Sequence, residues 1–257
     1  MLGWNTFIYF GVCAIAFFIA SSVTSLCGRP KVSVLLACLG SLTLASFIGA
    51  FWIEIGRPPL KTMGETRLWY SFFASLAGLF TYIRWKYRWI LSFSTVLSTV
   101  FILLNILKPE IHDQSLMPAL QSAWFIPHVT VYMFSYSLLG CAFLMGVAAL
   151  IRSKSSAELL LAADTLVYIG TAFLTFGMLS GAIWAKDAWG HFWSWDPKET
   201  WALVTWSVYL MYMHLRIYGK GGRRLLCFLL IFAFACLQMC WWGINYLPSA
   251  QDSIHVY

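Results

Sequence analysis

Charged residues are scarce in this chain of 257 residues. Only 11% of the residues are charged and 60% are hydrophobic, whereas a typical soluble domain has about 25% charged and about 45–50% apolar residues. The mean hydropathy is +0.74. This composition excludes an ordinary soluble enzyme and a disordered chain. It also excludes a nucleic-acid-binding module, because the net charge of +7 forms no basic patch on a soluble face. We infer an integral membrane protein.

Cysteine motifs and a basic leader are also missing. The seven cysteines lie in or at the ends of apolar segments and form no CxxC motif, so we predict neither a disulfide framework nor a catalytic thiol. The first apolar segment has no basic n-region and is long enough to cross a bilayer. We therefore expect it to be a membrane span and not a cleavable signal peptide.

Long apolar runs make up most of the chain. A bilayer core needs about 20 apolar residues in a helix, and eight stretches meet or approach that length, the third and seventh being short. The predicted spans are residues 6–26, 32–55, 66–83, 89–107, 123–151, 161–184, 201–218 and 225–247. With no internal repeat and no linker, the predicted fold is all-α: one polytopic membrane helix bundle, residues 1–257.

The basic residues predict the orientation of the chain, because cytoplasmic loops are enriched in Lys and Arg. The connections after spans 1, 3, 5 and 7 lie on one side of the membrane. That side has eleven of the 17 basic residues but only two acidic ones, Glu158 and Asp164. The eleven are Arg29, Lys31, Arg84, Lys86, Arg88, Arg152, Lys154, Arg216, Lys220, Arg223 and Arg224. Both termini are therefore expected on the outer side, in the periplasm or its equivalent.

Tryptophan is concentrated between spans 6 and 7. Six of the 14 tryptophans lie between Trp184 and Trp206. A membrane-interface belt places single tryptophans at headgroup level, which does not account for this density. A flat, rigid aromatic platform for a large planar apolar ligand accounts for it better. We define residues 184–201 as the tryptophan loop and expect the ligand site there.

The end of the tryptophan loop carries a helix-start signal. Asp196 stands at the N-cap position, Pro197 at the first helical position and Glu199 at the third. This is the capping-box pattern. It predicts that both acids begin the seventh helix, whatever the ligand is.

The five histidines are the candidate metal ligands. His128, near the outer end of span 5, and His255, in the tail, could form a pair of axial ligands for haem iron. His214 lies deep in span 7, where an ionisable side chain is costly and functional by default; the alternative is a neutral histidine bonded to a neighbouring helix or snorkelling inwards beside Arg216. We expect His112 to be solvated, whereas His191 lies inside the tryptophan loop, open to a ligand contact.

A family resemblance rests on these same residues. The run WGHFWSWDPKETW at residues 189–201 resembles the tryptophan-rich WWD signature of the haem-handling cytochrome c assembly superfamily, and its Asp-Pro-Lys-Glu continuation resembles the CcsA type of System II. Residues 127–129, 212–216 and 253–257 match the family in the same order.

The resemblance implies roles for the matching residues. Those implied to hold haem at the outer face are His128, His255, Trp189, Trp193, Trp195 and Asp196. His214 would be a membrane histidine on the route of haem from the cytoplasmic side. The second membrane histidine would come from a System II partner subunit.

The implied function is haem handling in cytochrome c biogenesis, in the bacterial inner membrane with the haem site facing the periplasm. With its partner, the protein would present haem for covalent attachment to the CxxCH motifs of an apocytochrome c, as part of a cytochrome c synthase complex. The alternatives are a haem exporter or chaperone without attachment chemistry, and a b-type electron-transfer subunit. The outer cations that could bind haem propionates are Arg57, Lys61, Arg67, Lys186 and Lys198.

Overall fold

The computed structural model describes residues 3–112 and 122–247, in which all regular structure is helical. The long helices are α1 Trp4–Leu26, α2 Pro30–Ile55, α3 Met63–Trp85, α4 Arg88–Leu107, α5 Phe125–Ile151, α6 Ser156–Trp189, α7 Pro197–Ile217 and α8 Arg223–Trp241. Each overlaps one predicted span, so the eight predicted helical stretches are confirmed as helices. His255 lies outside the described residues.

Six of the helices in the described ranges are long and apolar enough to cross a membrane, all except α3 and α7. These two helices correspond to the two short predicted spans. Each has an acidic side chain in its first turn and a basic one in its last turn. The chain is therefore a polytopic helical membrane protein. Eight membrane crossings remain a prediction.

The helix ends follow local sequence signals. Pro30 occupies the start of α2, where its missing N–H costs nothing. Gly190 ends α6 with φ 88°, a left-handed conformation that glycine adopts without strain. The 34 residues of α6 extend about 51 Å at 1.5 Å per residue, which is longer than a bilayer core of about 30 Å.

The chain divides into two compact units, Met1–Leu116 and Met117–Tyr257. The first contains α1 to α4, with a phenylalanine-rich core around Phe18 and Phe47. Hydroxyl groups link its helices: Ser41 and Ser75 lie 2.9 Å apart. Such small polar residues let membrane helices approach closely and hydrogen-bond to one another.

The second unit contains α5 to α8, with each of α5 and α7 antiparallel to both α6 and α8. Two bonds fix the register of α5 on α6. Ser135 Oγ donates to the Gly170 carbonyl at 2.7 Å, and the His128 ring bonds to the Gly177 carbonyl. This pairing brings the start of α5 to the end of α6, beside the tryptophan loop.

Candidate functional site

His128 lies in the first turn of α5 and is bonded to α6. Its Nδ1 atom lies 2.8 Å from the Gly177 carbonyl oxygen. Because that oxygen can only accept, Nδ1 donates, and the ring lone pair is then on Nε2. Metal-ligating histidines are typically oriented by such a bond from the other ring nitrogen. This tautomer therefore suits ligation of iron through Nε2.

The packing around His128 also fixes its orientation. The Trp184 ring stacks on the imidazole with centroids 5.3 Å apart and planes inclined by 27°. Tyr132 contacts it edge-on at 4.6 Å. On α6, a methyl group at Gly181 would lie 2.6 Å from Nδ1, so only glycine lets the imidazole approach the helix this closely.

The rings of the tryptophan loop differ in their surroundings. Trp184 is 1% exposed and packs on Phe125 as a core side chain. Trp189 meets Trp184 at a steep 63°, and Trp193 meets Trp195 at 88°. Neither pair is coplanar, so these four rings do not form the single flat platform predicted from the sequence. Of these four tryptophans, Trp195 presents the most surface, with 67% exposure.

The capping box at the start of α7 is confirmed. Asp196 is buried, and its Oδ1 accepts a hydrogen bond from the Lys198 N–H at 2.8 Å. The Glu199 carboxylate accepts one from the Asp196 N–H at 3.1 Å. Both acids thus begin the helix, with Pro197 at the first helical position.

His214 lies near the end of α7 and is exposed at the surface of the second unit. Its Nδ1 lies 2.8 Å from the Leu210 carbonyl oxygen. As in His128, that bond puts the ring lone pair on Nε2. Of the two alternatives weighed from the sequence, a bond to a neighbouring helix is not observed, since this bond is within α7, whereas snorkelling beside Arg216 stays open.

A buried charged group on α6 sets the direction of His214. Asp164, 8% exposed, accepts from the Tyr212 hydroxyl at 2.7 Å and forms an ion pair with Arg216. Tyr212 and Arg216 are four residues apart and share one face of α7, whereas His214 lies about 200° from each. Anchoring the first face to α6 therefore presents His214 on the opposite face.

The other histidines have different environments. His191 is exposed in the tryptophan loop. His112 belongs to a short 3₁₀-helix, Pro109–His112, of the first unit, and the expectation that it is solvated is wrong. Its ring stacks on Trp4 with centroids 3.8 Å apart and packs on Gly64, where a methyl group would lie 2.5 Å away. This burial lowers the pKa of His112.

Several of the cations proposed for haem propionates have partners within the protein. In the first unit, both terminal nitrogens of Arg57 donate to buried Glu65 at 2.9 Å. The pKa of neighbouring Lys61 is lowered by its burial and by the Arg57 charge. In the second unit, Lys186 donates to the Gly190 carbonyl at 2.7 Å, closing the end of α6.

Sequence reasoning missed three residues that shape the site. Gly177 and Gly181 let the His128 ring pack closely against α6. No local sequence pattern identifies them, because the contact is between helices. Asp164 did carry a signal: it is an acidic residue inside a predicted span, where ionisable side chains are rarely without function.

The sequence matches a known protein family. A sequence model of the family described as Cytochrome C assembly protein matches residues 60–250. The chain is 32% identical over 258 residues to the cytochrome c biogenesis protein CcsA of Guillardia theta, with 86% of this chain and 83% of that protein covered. It is 27% identical over 298 residues to the protein of that name from Picosynechococcus, with 88% of each covered.

The match includes His128, the whole tryptophan loop and His214. It spans well over half of the chain, and the relatives are matched over most of their own lengths. The chain therefore belongs to the cytochrome c assembly protein family and is of the CcsA type.

Proposed function

We propose that this protein handles haem in cytochrome c maturation. It takes haem through the membrane and presents it at the outer face, where, with a partner membrane subunit, it promotes attachment to the CxxCH motif of an apocytochrome c. In that reaction each cysteine S–H adds across a haem vinyl group: a C–S bond forms and the hydrogen passes to the other vinyl carbon. The protein contributes placement and coordination, and the reacting groups belong to haem and the cysteines.

The observation that carries the proposal is the fixed imidazole of His128. Its Nδ1 bond to Gly177 selects the tautomer that ligates iron through Nε2, and its neighbours are aromatic, as a large planar apolar ligand requires. His128 is one proposed axial ligand and His255 the other. Trp189, Trp193 and Trp195 would line the site. Asp196 would support it by starting α7, since its carboxylate is used as the cap.

His214 is the proposed ligand of a second haem position within the membrane. Its ring is exposed on α7, and a polar imidazole facing lipid would be costly. Contact with haem and with a partner subunit that supplies the other histidine would remove that cost. The anchor on Asp164 supports this reading, because it directs His214 away from the core of the unit.

We further propose eight crossings, with α3 and α7 included, and both termini on the periplasmic side of a bacterial inner membrane. The excess of Lys and Arg in the connections after α1, α3, α5 and α7 supports this orientation. Reporter fusions in each connection test it: accessibility of the α5–α6 connection from the outside would contradict it.

Optical spectra of the purified protein, oxidised and dithionite-reduced, with and without its partner, test haem binding. We expect a low-spin bis-histidine spectrum that weakens in His128→Gly and recovers partly when imidazole fills the vacated position. His112→Gln, which alters a histidine stacked on Trp4 in the first unit, is the matched control and should retain haem. Haem content unchanged in His128→Gly would contradict the ligand assignment.

Attachment to a supplied CxxCH peptide separates the proposal from its alternatives. Thioether formation that requires the partner supports a synthase component. Haem transfer without thioether formation would indicate an exporter or chaperone. A haem that stays bound through turnover and only cycles its redox state would indicate a b-type electron-transfer subunit.

A further inference from the structure

Trp195 has an unusual backbone conformation. Its φ is 60°, in the left-handed region where a bulky side chain is a genuine outlier because Cβ crowds the backbone. Among the described residues other than glycine, only Lys86 shares a positive φ, and Lys86 has an ordinary reason, since it is the C-cap of α3. Trp195 ends no helix, and its exposed ring gains little from burial.

A single carboxylate oxygen holds this conformation. Glu199 Oε2 accepts from the Ser194 N–H at 2.8 Å and from the Asp196 N–H at 3.1 Å, the two amides that flank residue 195. It also accepts from the Ser194 hydroxyl at 3.3 Å. The Thr200 hydroxyl donates to the Trp195 carbonyl, also at 3.3 Å. The backbone on both sides of Trp195 is therefore bonded to the start of α7.

Helix capping alone does not require this arrangement. In the capping box of α3, Glu65 Oε2 accepts from two consecutive amides, those of Lys61 and Thr62. Glu199 instead skips one residue, and the skipped residue is Trp195. Gathering amides 194 and 196 at one oxygen turns the intervening residue outward, so the indole projects from the loop.

We propose that Glu199 is a positioning residue for the haem site, because it holds residue 195 in the left-handed conformation that directs the Trp195 indole at bound haem. This inference rests on the proposed function. Strained conformations persist where the surrounding structure over-determines them, and they concentrate at ligand sites. Here the surrounding structure is the set of bonds to Glu199, and the ligand face is the exposed indole.

The first test needs no haem. Protein labelled with 5-fluorotryptophan gives a fluorine resonance for Trp195, assigned by its disappearance in Trp195→Phe. Glu199→Ala should shift or broaden that resonance while the resonance of the core residue Trp184 stays in place. Glu199→Gln should restore the wild-type position, because its amide oxygen accepts the same two N–H groups. An unmoved Trp195 resonance in Glu199→Ala overturns the proposal.

The second test is a double-mutant cycle on haem loss to an apo-globin scavenger. Glycine adopts φ 60° without strain, so Trp195→Gly removes both the indole and the need for the carboxylate. Glu199→Ala removes all three bonds that Oε2 accepts and should weaken haem retention about tenfold or more in the wild-type background. In the Trp195→Gly background it should have no further effect.

The outcomes separate the two hypotheses. Equal losses from Glu199→Ala in both backgrounds would mean that Glu199 acts independently of Trp195, which overturns the proposal. Full haem retention in Trp195→Gly would overturn it as well. If the wild-type protein takes up no haem, the proposed function fails, whereas the fluorine experiment still decides whether Glu199 sets the conformation of Trp195.

Discussion

A methyl group added at Gly181 tests whether the packing of His128 on α6 matters. The added carbon would lie 2.6 Å from both Nδ1 and Cε1 of the imidazole. Since non-bonded heavy atoms of this kind are comfortable at about 3.5 Å, the ring must retreat by about 0.9 Å. The bond to the Gly177 carbonyl, 2.8 Å long, does not survive a displacement of that size directed away from the helix.

The magnitude follows from three contributions. Overpacking costs about 1–3 kcal/mol, and the lost hydrogen bond costs about 0.5–1.5 kcal/mol. Alanine offsets up to about 1 kcal/mol through its higher helix propensity than glycine. We expect Gly181→Ala to lower the free energy of unfolding by about 1–3 kcal/mol and to reduce haem retention, because Nε2 moves with the ring.

The assays are the unfolding midpoint in detergent and the haem spectrum. Gly140→Ala on α5 is the matched control, since its added carbon would make an ordinary contact of 3.6 Å with Phe234. The control should keep or gain stability and retain haem. A Gly181→Ala protein with wild-type stability and haem content would refute the argument that close packing positions His128.

Three further predictions concern single side chains. Asp164→Ala leaves the Arg216 guanidinium without its carboxylate partner. Removing one partner of a fully buried ion pair lowers the free energy of unfolding by about 3–5 kcal/mol. We expect a smaller loss here because Arg216 is 23% exposed. An unchanged unfolding midpoint would contradict this. Burial lowers the pKa of His112 from its ordinary 6.5, and the Glu110 charge opposes the shift. As the pH falls, the unfolded state therefore takes up the proton before the folded state does. The contribution of His112 to the free energy of unfolding is complete above about pH 6.5 and is lost at lower pH. Unfolding midpoints of wild type and His112→Gln should therefore converge towards acidic pH. Asp196→Asn should keep both fold and haem, since asparagine also caps helices; haem loss from a folded protein would give Asp196 a direct contact.

Much of the site could be predicted from the sequence because its signals are local. The capping box at Asp196 and Glu199 depends on residues three positions apart, and apolar length alone identified the helices. The environment of His112 could not be predicted, because the Trp4 and Gly64 positions that enclose it are far away in the chain. The loop tryptophans were predicted as a group, but their separate surroundings depend on α5 and α6.

The sequence by itself determined the membrane class, the eight helices, the tryptophan loop and the start of α7, since each depends on composition or on neighbours within a few residues. Only the tertiary structure decided which ring nitrogen of His128 carries the proton and which face of α7 presents His214, because both depend on contacts between helices, at Gly177 and at Asp164. The exposure of the Trp195 ring has a local basis, since the Glu199 carboxylate accepts from the amides of Ser194 and Asp196 on either side of it. The residue types alone do not specify which amides that carboxylate binds, so this feature also had to be seen in the structure.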